Sequence, residues 1–124
     1  MKVKATKFGR GIFSTRRYSA GDAIEKCQLI ILDKNDRLKI YDTKLYDYYF
    51  SWGSSDDQAA IALGNGSLYN HSYSPNAKYA KNFKENEIHF IAIKTIKVGD
   101  EILVNYNGDP ESKEPLWFDV ISDN

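Results

Sequence analysis

The chain has 124 residues with 17 basic and 17 acidic side chains, and its 42% hydrophobic fraction is enough for one modest core. Zero net charge removes the basic surplus on which nucleic-acid binding usually depends, and no apolar run approaches the roughly 20 residues that span a bilayer. Cys27 is the only cysteine, so an internal disulfide is excluded, and with only His71 and His89 beside it no Cys/His zinc set can form. We therefore expect a single domain over residues 1–124 in a reducing intracellular compartment, the cytoplasm or nucleus. We expect no metal, no membrane association and no direct nucleic-acid partner.

The first half of the chain predicts short strands and one ambiguous segment. Gly11 to Phe13 is a brief β-prone run, and the apolar stretch from Ala23 to Leu32 ends in polar residues with turn chemistry. Residues 38–50 place apolar groups near helical spacing but are rich in aromatic residues, so a short helix and an extended aromatic segment both stay open. Residues 51–58 are polar and contain a glycine and paired acids, which predicts a surface loop.

The second half contains the clearer signals. Gly64-Asn65-Gly66 follows a small apolar run and predicts a tight turn with close main-chain approach. Residues 88–93 and 101–106 predict two strands, with a turn at 97–100 between them. Because both faces of 88–93 are largely apolar, we expect that strand to be buried on both sides. The pattern as a whole indicates one small β-rich domain.

Three short motifs carry groups that could perform chemistry. Gly9-Arg10-Gly11 precedes a strand, and its spaced glycines let the backbone approach a ligand closely. Asn70-His71-Ser72, followed by Pro75-Asn76, is rich in hydrogen-bonding groups that need partners when buried. Residues 101–106 end a predicted strand in a tyrosine. Each motif by itself is also consistent with an ordinary turn, a polar loop or half-buried packing.

In this order and spacing, the three motifs together resemble the SET-domain family of protein lysine methyltransferases. The stretch from Glu101 to Tyr106 matches the family's Glu-Leu-x-x-Asp-Tyr motif, with Ile102 and Asn105 in place of Leu and Asp. The resemblance covers about residues 7–118. It is strongest to the minimal stand-alone members, including viral enzymes, through Asp47 to Phe50, Ala62 to Gly66 and Trp117.

The resemblance implies a mainly β fold, the β-clip of short curved strands, in which the C-terminal segment threads under a loop as a pseudoknot. This threading would bring Asn70 and His71 beside Tyr106. The implied cofactor is S-adenosylmethionine, bound on one side of the domain, while a substrate lysine enters a narrow channel from the other. The implied partner is a protein with an accessible lysine side chain, such as a histone tail.

Six residues match positions at which the family holds the cofactor. The glycine motif corresponds to the loop that binds the amino-acid end, the Asn-His pair to the groups that bind the amine and adenine, and a late tryptophan to the aromatic cover of the adenine. These residues are Gly9, Arg10, Gly11, Asn70, His71 and Trp117. For Trp117, a place in the hydrophobic core stays open as the alternative.

The resemblance makes Tyr106 the catalytic tyrosine and Tyr48 a wall of the lysine channel, with Tyr49 as the alternative because adjacent side chains usually point apart. Methyl transfer from a sulfonium to an amine needs the neutral amine, whereas free lysine has a pKa near 10.4. An apolar aromatic channel disfavours the ammonium by desolvation, and a neighbouring positive charge disfavours it further. The Tyr106 hydroxyl and backbone carbonyls would orient the amine and hold both reactants in line.

Some positions depart from the family pattern. Tyr73 stands where many members have cysteine, and the cysteine-rich flanks of larger members are absent, so closure of the cofactor pocket would depend on Trp117 and the tail. Val104 replaces an aromatic that often helps set the number of methyl groups added, which leaves the degree of methylation open. A homodimer is a further expectation for so small a domain. The alternatives to a histone methyltransferase are a catalytically silent module that binds a basic peptide and a methyltransferase for a non-histone protein.

Overall fold

The computed structural model describes residues 1–7 and 9–116, whose regular structure is mostly β, which confirms the predicted mainly β class. Helix within these residues is limited to α1, Lys34–Lys39, and two 3-10 turns at Lys44–Asp47 and Gly66–Leu68. The strands are β1 Lys2–Thr6, β2 Gly9–Phe13, β3 Ala23–Leu32, β4 Phe50–Trp52, β5 Gln58–Ala62, β6 Asn70–His71, β7 Ala77–Asn82, β8 Glu87–Ala92 and β9 Leu103–Val104.

The strands form three small sheets. β1 and β2 make an antiparallel pair, and the largest sheet has the order β4-β5-β3-β8-β7 with every neighbour antiparallel. β6 and β9 pair in parallel, with Asn70 opposite Leu103 and His71 opposite Val104. Two parallel strands cannot be joined by a tight hairpin. This pair therefore connects β6 and β9 across a long stretch of sequence.

The hydrophobic core lies on one face of the five-stranded sheet. Phe90 of β8 is fully buried there, and the Tyr69 ring, 1% exposed, stacks on it with centroids 4.3 Å apart. The other face of β8 carries His89, which is partly exposed and lies 2.9 Å from the Glu87 carboxylate. The prediction that this strand is buried on both sides is therefore wrong for its polar face.

Residues 38–50 form neither one helix nor one extended segment. Asp33 begins α1 by accepting a hydrogen bond from the Asp36 N–H at 2.9 Å. Thr43 begins the first 3-10 turn by accepting from the Leu45 N–H at 3.2 Å. Because side-chain caps of this kind start new helical turns, the segment divides into two short pieces before β4.

Residues 51–58 are a loop only in their middle, so that prediction is wrong at both ends. Trp52 belongs to β4, is 3% exposed and packs on Phe83 with ring centroids 4.5 Å apart. Gln58 begins β5. Residues 53–57 connect these strands, so β4 and β5 form a hairpin. The polar composition of the stretch gave no indication that its tryptophan is buried.

Residues 101–106 contain a shorter strand than predicted, and it does not pair with β8. The Asn76 side chain donates to the Glu101 carbonyl at 2.8 Å and accepts from the Leu103 N–H at 2.9 Å. These bonds occupy backbone groups that would otherwise pair with a neighbouring strand. The predicted strand is therefore reduced to the two residues of β9. The turn at 97–100 is confirmed by the Asp100 N–H bonding to the Lys97 carbonyl at 3.0 Å.

The close approach predicted at Gly64-Asn65-Gly66 is confirmed. Gly64 has φ +73°, a backbone conformation that L side chains rarely adopt. A Cβ on Gly66 would lie 2.7 Å from Ala62 Cβ and 3.0 Å from Cys27 Sγ. The loop can therefore fold back onto β3 and β5 only with glycine at these positions.

We expect Gly66→Ala to lower the free energy of unfolding by about 1–3 kcal/mol, because the added methyl overpacks a closed part of the core. Urea denaturation followed by far-UV circular dichroism measures this, with the exposed loop variant Ser55→Ala as the control. A Gly66→Ala protein as stable as that control would contradict the packing described.

Candidate active site

β6 and β9 bring two of the sequence motifs into contact. The Ser72 N–H donates to the Val104 carbonyl at 2.9 Å, which extends the parallel pair by one hydrogen bond. Just beyond it, the Tyr106 N–H donates to His71 Nδ1 at 2.9 Å across 35 residues of sequence. The Asn-His motif and the strand-end tyrosine therefore form one structural unit.

Tyr106 is held at three points. Besides the bond to His71, its hydroxyl donates to the Tyr69 carbonyl at 2.6 Å and its own carbonyl accepts from the Tyr79 hydroxyl at 3.0 Å. Burial raises the pKa of Tyr106 above its usual value, and nearby Tyr48 and Glu101 raise it further. The phenol consequently stays protonated and points in a defined direction.

A cavity of about 300 Å³ lies beside Tyr106. Its lining combines six aromatic rings with three charged groups and a few small polar side chains. The aromatic residues are Tyr48, Tyr49, Phe50, Tyr69, Tyr79 and Tyr106, and the charged residues are Asp47, Asp56 and Lys81. A long side chain with a small polar end would fit a space of this size and composition.

Lys81 is the lysine in the cavity lining, and its surroundings change its pKa. Its Nζ donates to the Ser51 carbonyl at 2.6 Å. Burial lowers the pKa of Lys81, an effect that Asp56 opposes and Arg37 reinforces. Burial therefore outweighs the nearby carboxylate in setting the pKa of this amine.

The glycine motif lies against Asn70. The Asn70 Nδ2 donates to the Arg10 carbonyl at 3.1 Å and to Glu101 Oε2 at 2.8 Å. A Cβ on Gly11 would meet that carboxylate oxygen and would lie 2.9 Å from the Asn70 Nδ2, so a larger residue would have to displace these two side-chain ends. A Cβ on Gly9, whose φ is +104°, would meet no atom within 4 Å in the described part of the chain. The motif thus closes on Asn70 at one glycine and leaves open space at the other.

His71 has one satisfied and one unsatisfied ring nitrogen. Nδ1 accepts from Tyr106, and burial lowers the pKa of His71, so the neutral ring carries its proton on Nε2. That Nε2 is buried with no hydrogen-bond partner among residues 1–7 and 9–116. A buried donor without an acceptor is uncommon in native proteins, so this nitrogen is available to an acceptor from outside these residues.

A comparison with protein families identifies this arrangement. The family model of the SET domain matches residues 9–107. The chain belongs to the SET-domain family. This SET domain is 29% identical over 112 residues to a Schizosaccharomyces pombe protein described as a histone-lysine N-methyltransferase specific for H3 lysine 37. The match covers 90% of this chain and 71% of the fission yeast protein.

Solved structures share the fold. A Plasmodium falciparum protein provisionally named a histone methyltransferase superposes with a TM-score of 0.66 and 26% identity, covering 87% of this chain and 97% of that one. Polycomb Repressive Complex 2 of Chaetomium thermophilum, in an autoinhibited state bound to S-adenosylmethionine, gives a TM-score of 0.69 at 19% identity. That match covers 84% of this chain and 14% of the Chaetomium chain.

These matches confirm the predicted family and the β-clip fold with its C-terminal pseudoknot. They also confirm the predicted activity class, which is protein-lysine methylation with S-adenosylmethionine as the methyl donor. No helix in the described part of the SET domain is long and apolar enough to cross a membrane. The same residues contain no cluster of three or more His, Cys, Asp or Glu side chains suited to a metal ion.

The residues of the SET domain fit the cofactor at one side of Tyr106. Among the described residues, Gly9 has room beside it, Asn70 offers a polar side chain, and the His71 Nε2–H has no acceptor, so both room and hydrogen-bonding capacity are present. Arg10 is exposed beside them. Trp117, the expected cover of the adenine, lies outside the described residues.

For the channel wall, the surroundings favour Tyr48 over Tyr49. Both line the cavity, but Tyr48 lies close enough to Tyr106 to raise its pKa. The Tyr49 ring is instead covered by the Arg37 guanidinium at 5.0 Å and contacts Tyr46 edge-on at 6.0 Å. Its partners thus hold it on the α1 side of the cavity.

Sequence reasoning missed Tyr79 and Lys81, because no strand was expected at 77–82. The signal was present in the alternation of Ala77, Tyr79 and Lys81, which directs these side chains to one face of β7. Neither residue lies within a recognised motif. Both nevertheless line the cavity.

We expect the SET domain to lose stability in mild acid through His71. Because its folded-state pKa is lowered below about 6.5, its value in unfolded chains, the unfolded state binds more protons as the pH falls. The contribution is complete above about pH 6.5 and is lost as the pH falls through the folded-state pKa. Urea unfolding between pH 5 and 7.5 should show a smaller loss in His71→Gln than in wild type. Equal losses in the two proteins would contradict the neutral, buried imidazole.

Proposed function

We propose that this SET domain methylates a lysine side chain of a histone tail. The observation that carries the proposal is the aromatic cavity beside Tyr106, whose hydroxyl is fixed on the Tyr69 carbonyl at 2.6 Å. S-adenosylmethionine supplies the transferable methyl group when it is bound. The name of the fission yeast relative supports histone H3 as the first substrate to test.

The cavity walls support the step that most limits lysine as a nucleophile. A lysine in water is almost fully protonated at neutral pH, because its pKa is about 10.4. Tyr48, Phe50 and Tyr79 would surround the target amine with apolar rings and remove its water. Lys81 shows the direction of the effect, since burial in the same cavity lowers its pKa.

The Tyr106 hydroxyl has a positioning role in this proposal. A protonated phenol fixed by Tyr69 offers its oxygen lone pair to the target amine or to the hydrogens of a polarised methyl group. Holding the nucleophile in line is worth more than any single contact, because misplacement by about 1 Å can cost roughly 100-fold in rate. Tyr106 therefore acts by geometry and does not exchange a proton.

The charged rim supports a basic substrate. Asp47 and Asp56 contribute two carboxylates to the cavity lining, against the one ammonium of Lys81. Histone tails are rich in lysine and arginine, so residues flanking the target lysine would meet a local negative charge. The rim thus favours a basic segment over an acidic one.

On the opposite side of Tyr106, we assign the cofactor to the residues that the family pattern indicates. Backbone groups of Gly9, Arg10 and Gly11 would hold its amino-acid end, next to Asn70. The His71 region would bind the amine and adenine, and Trp117 would cover the adenine.

A homodimer is a second part of the proposal. Ile30 is 50% exposed and is paired with Ile61, while Leu63, 47% exposed, follows the end of β5. Apolar side chains grouped on an outer sheet face are typical of association surfaces. Sedimentation equilibrium measures the mass directly, and a monomer at assay concentration would remove this part of the proposal.

The experiment that tests the main proposal uses purified protein, methyl-labelled S-adenosylmethionine and separate histone and non-histone substrates. Label on one histone lysine, located by mass spectrometry, is the expected result. Calorimetry with the cofactor runs in parallel. Cofactor binding with label only on non-histone proteins would replace the histone by another substrate, and absence of cofactor binding would indicate a silent peptide-binding module.

We expect Tyr106→Phe to lower the rate of methyl transfer by on the order of 100-fold while leaving the cofactor dissociation constant within about twofold of wild type. The phenylalanine keeps the ring and removes only the hydroxyl that Tyr69 fixes. Tyr41→Phe, at a half-exposed ring away from the cavity lining, is the matched control. Unchanged turnover in Tyr106→Phe would remove Tyr106 from the mechanism.

We also expect Tyr48→Ala to reduce kcat/KM for a lysine peptide about tenfold or more, and Tyr49→Ala to reduce it less, because Tyr48 is the ring near Tyr106. Initial rates with a peptide series give both values. The reverse order of effects would assign the channel wall to Tyr49.

A further inference from the structure

One carboxylate behind the cavity holds both ends of the segment Asn65–Tyr69. The Asn65 N–H donates to Glu25 Oε2 at 3.0 Å, and the Tyr69 hydroxyl donates to Glu25 Oε1 at 2.6 Å. The segment between these points contains the second 3-10 turn. Glu25 thus joins β3 to both ends of a loop that lines the cavity. We call these two hydrogen bonds, from Asn65 and Tyr69 to Glu25, the Glu25 clamp.

The clamped segment carries contacts to two cavity walls. The Ser67 hydroxyl donates to the Tyr48 carbonyl at 2.8 Å, and the Tyr69 carbonyl accepts from the Tyr106 hydroxyl at 2.6 Å. The proposed channel wall and the proposed catalytic tyrosine are therefore each one hydrogen bond away from this segment. A shift of the segment would move both.

The backbone of β3 is shaped to present Glu25 to this segment. Ala23 is paired with Ile91, but Glu25 is paired with Phe90, so a β-bulge lies between them. Ile91 and Phe90 are adjacent and point to opposite faces, hence the bulge turns Glu25 onto the core face that Phe90 occupies. Without the bulge, Glu25 would share the outer face with Ala23.

The neighbouring residues keep Tyr69 a hydrogen-bond donor with a single strong acceptor. Its ring stacks on Phe90 at 4.3 Å, and burial, reinforced by Glu25, raises the pKa of Tyr69 above its usual value. The second acceptor near the hydroxyl is the Met1 sulfur at 3.2 Å, which accepts weakly. Burial raises the pKa of Cys27 to about 12, so that side chain stays a neutral thiol.

We propose that Glu25 and Tyr69 are positioning residues for methyl transfer, which together set the place of the carbonyl that orients Tyr106 and of the loop that supports Tyr48. This inference rests on the proposed function. It adds that the geometry of the reaction depends on a carboxylate that touches neither substrate nor cofactor. The charge on Glu25 matters because charge-assisted hydrogen bonds are about twice as strong as neutral ones.

Tyr69→Phe and Glu25→Gln test the proposal, since each keeps shape and removes one bond of the clamp. We expect kcat to fall roughly tenfold in each, with KM for the peptide and the cofactor dissociation constant near wild type. Glu87→Gln is the matched control: its carboxylate also bonds to two side chains of the same sheet but lies away from the cavity lining. A merely structural role would lower the unfolding midpoint without changing kcat per folded molecule, and that result would overturn the proposal.

The Tyr106→Phe background separates positioning from other effects. If Tyr69 acts partly through the Tyr106 hydroxyl and partly through the loop that supports Tyr48, adding Tyr69→Phe to Tyr106→Phe should lower kcat by clearly less than the roughly tenfold loss expected in the wild-type background, whereas independent effects would multiply. A full tenfold further loss would contradict the assignment.

A readout without turnover distinguishes failure of this inference from failure of the proposed function. In protein with labelled tyrosine, the Cζ resonance of Tyr106 should shift in both Tyr69→Phe and Glu25→Gln and stay in place in Glu87→Gln. If wild type methylates no substrate yet these shifts occur, the function fails and the clamp stands. If wild type is active and the resonance and kcat are unchanged in both variants, the clamp fails alone.

Discussion

The active region depends on the short parallel pairing of β6 with β9. Two residues on each side suffice to hold Asn70 and His71 against Leu103 and Val104, and the Tyr106 N–H then completes the junction on His71. This pairing places the His71 Nδ1 acceptor against the Tyr106 N–H, and the Tyr69 carbonyl accepts from the Tyr106 hydroxyl. In the proposed function, the cofactor and the substrate lysine meet at this junction.

Around the junction, three polar groups are held by hydrogen bonds within the protein. The Tyr106 hydroxyl, the Tyr79 hydroxyl and the His71 Nδ1 each have a defined partner, and the His71 and Tyr106 rings lie 5.2 Å apart. Such a site disfavours charge, as the lowered pKa values of His71 and Lys81 indicate. If a lysine side chain enters the cavity as proposed, the same desolvation would favour its neutral, nucleophilic form.

Much of this was predictable from the sequence, because the three motifs keep characteristic residues in a fixed order. The glycine loop at Gly64 and Gly66 was also predictable, since only glycine tolerates such backbone approach. Periodicity could not predict that the Asn76 amide would replace a strand neighbour, or that Trp52 would be buried within a polar stretch. Both outcomes depend on contacts between distant parts of the chain.

The Glu25 clamp could not be predicted from the sequence either, because it depends on a β-bulge that no local sequence pattern indicates. Whether the cavity neutralises the target amine is tested most directly by the pH dependence of single-turnover methyl transfer at saturating substrate and cofactor. If the cavity neutralises the target amine, the rate should level off at least about one pH unit below 10.4, the pKa of lysine in water. A rate that keeps rising tenfold per pH unit up to about pH 10 would contradict it.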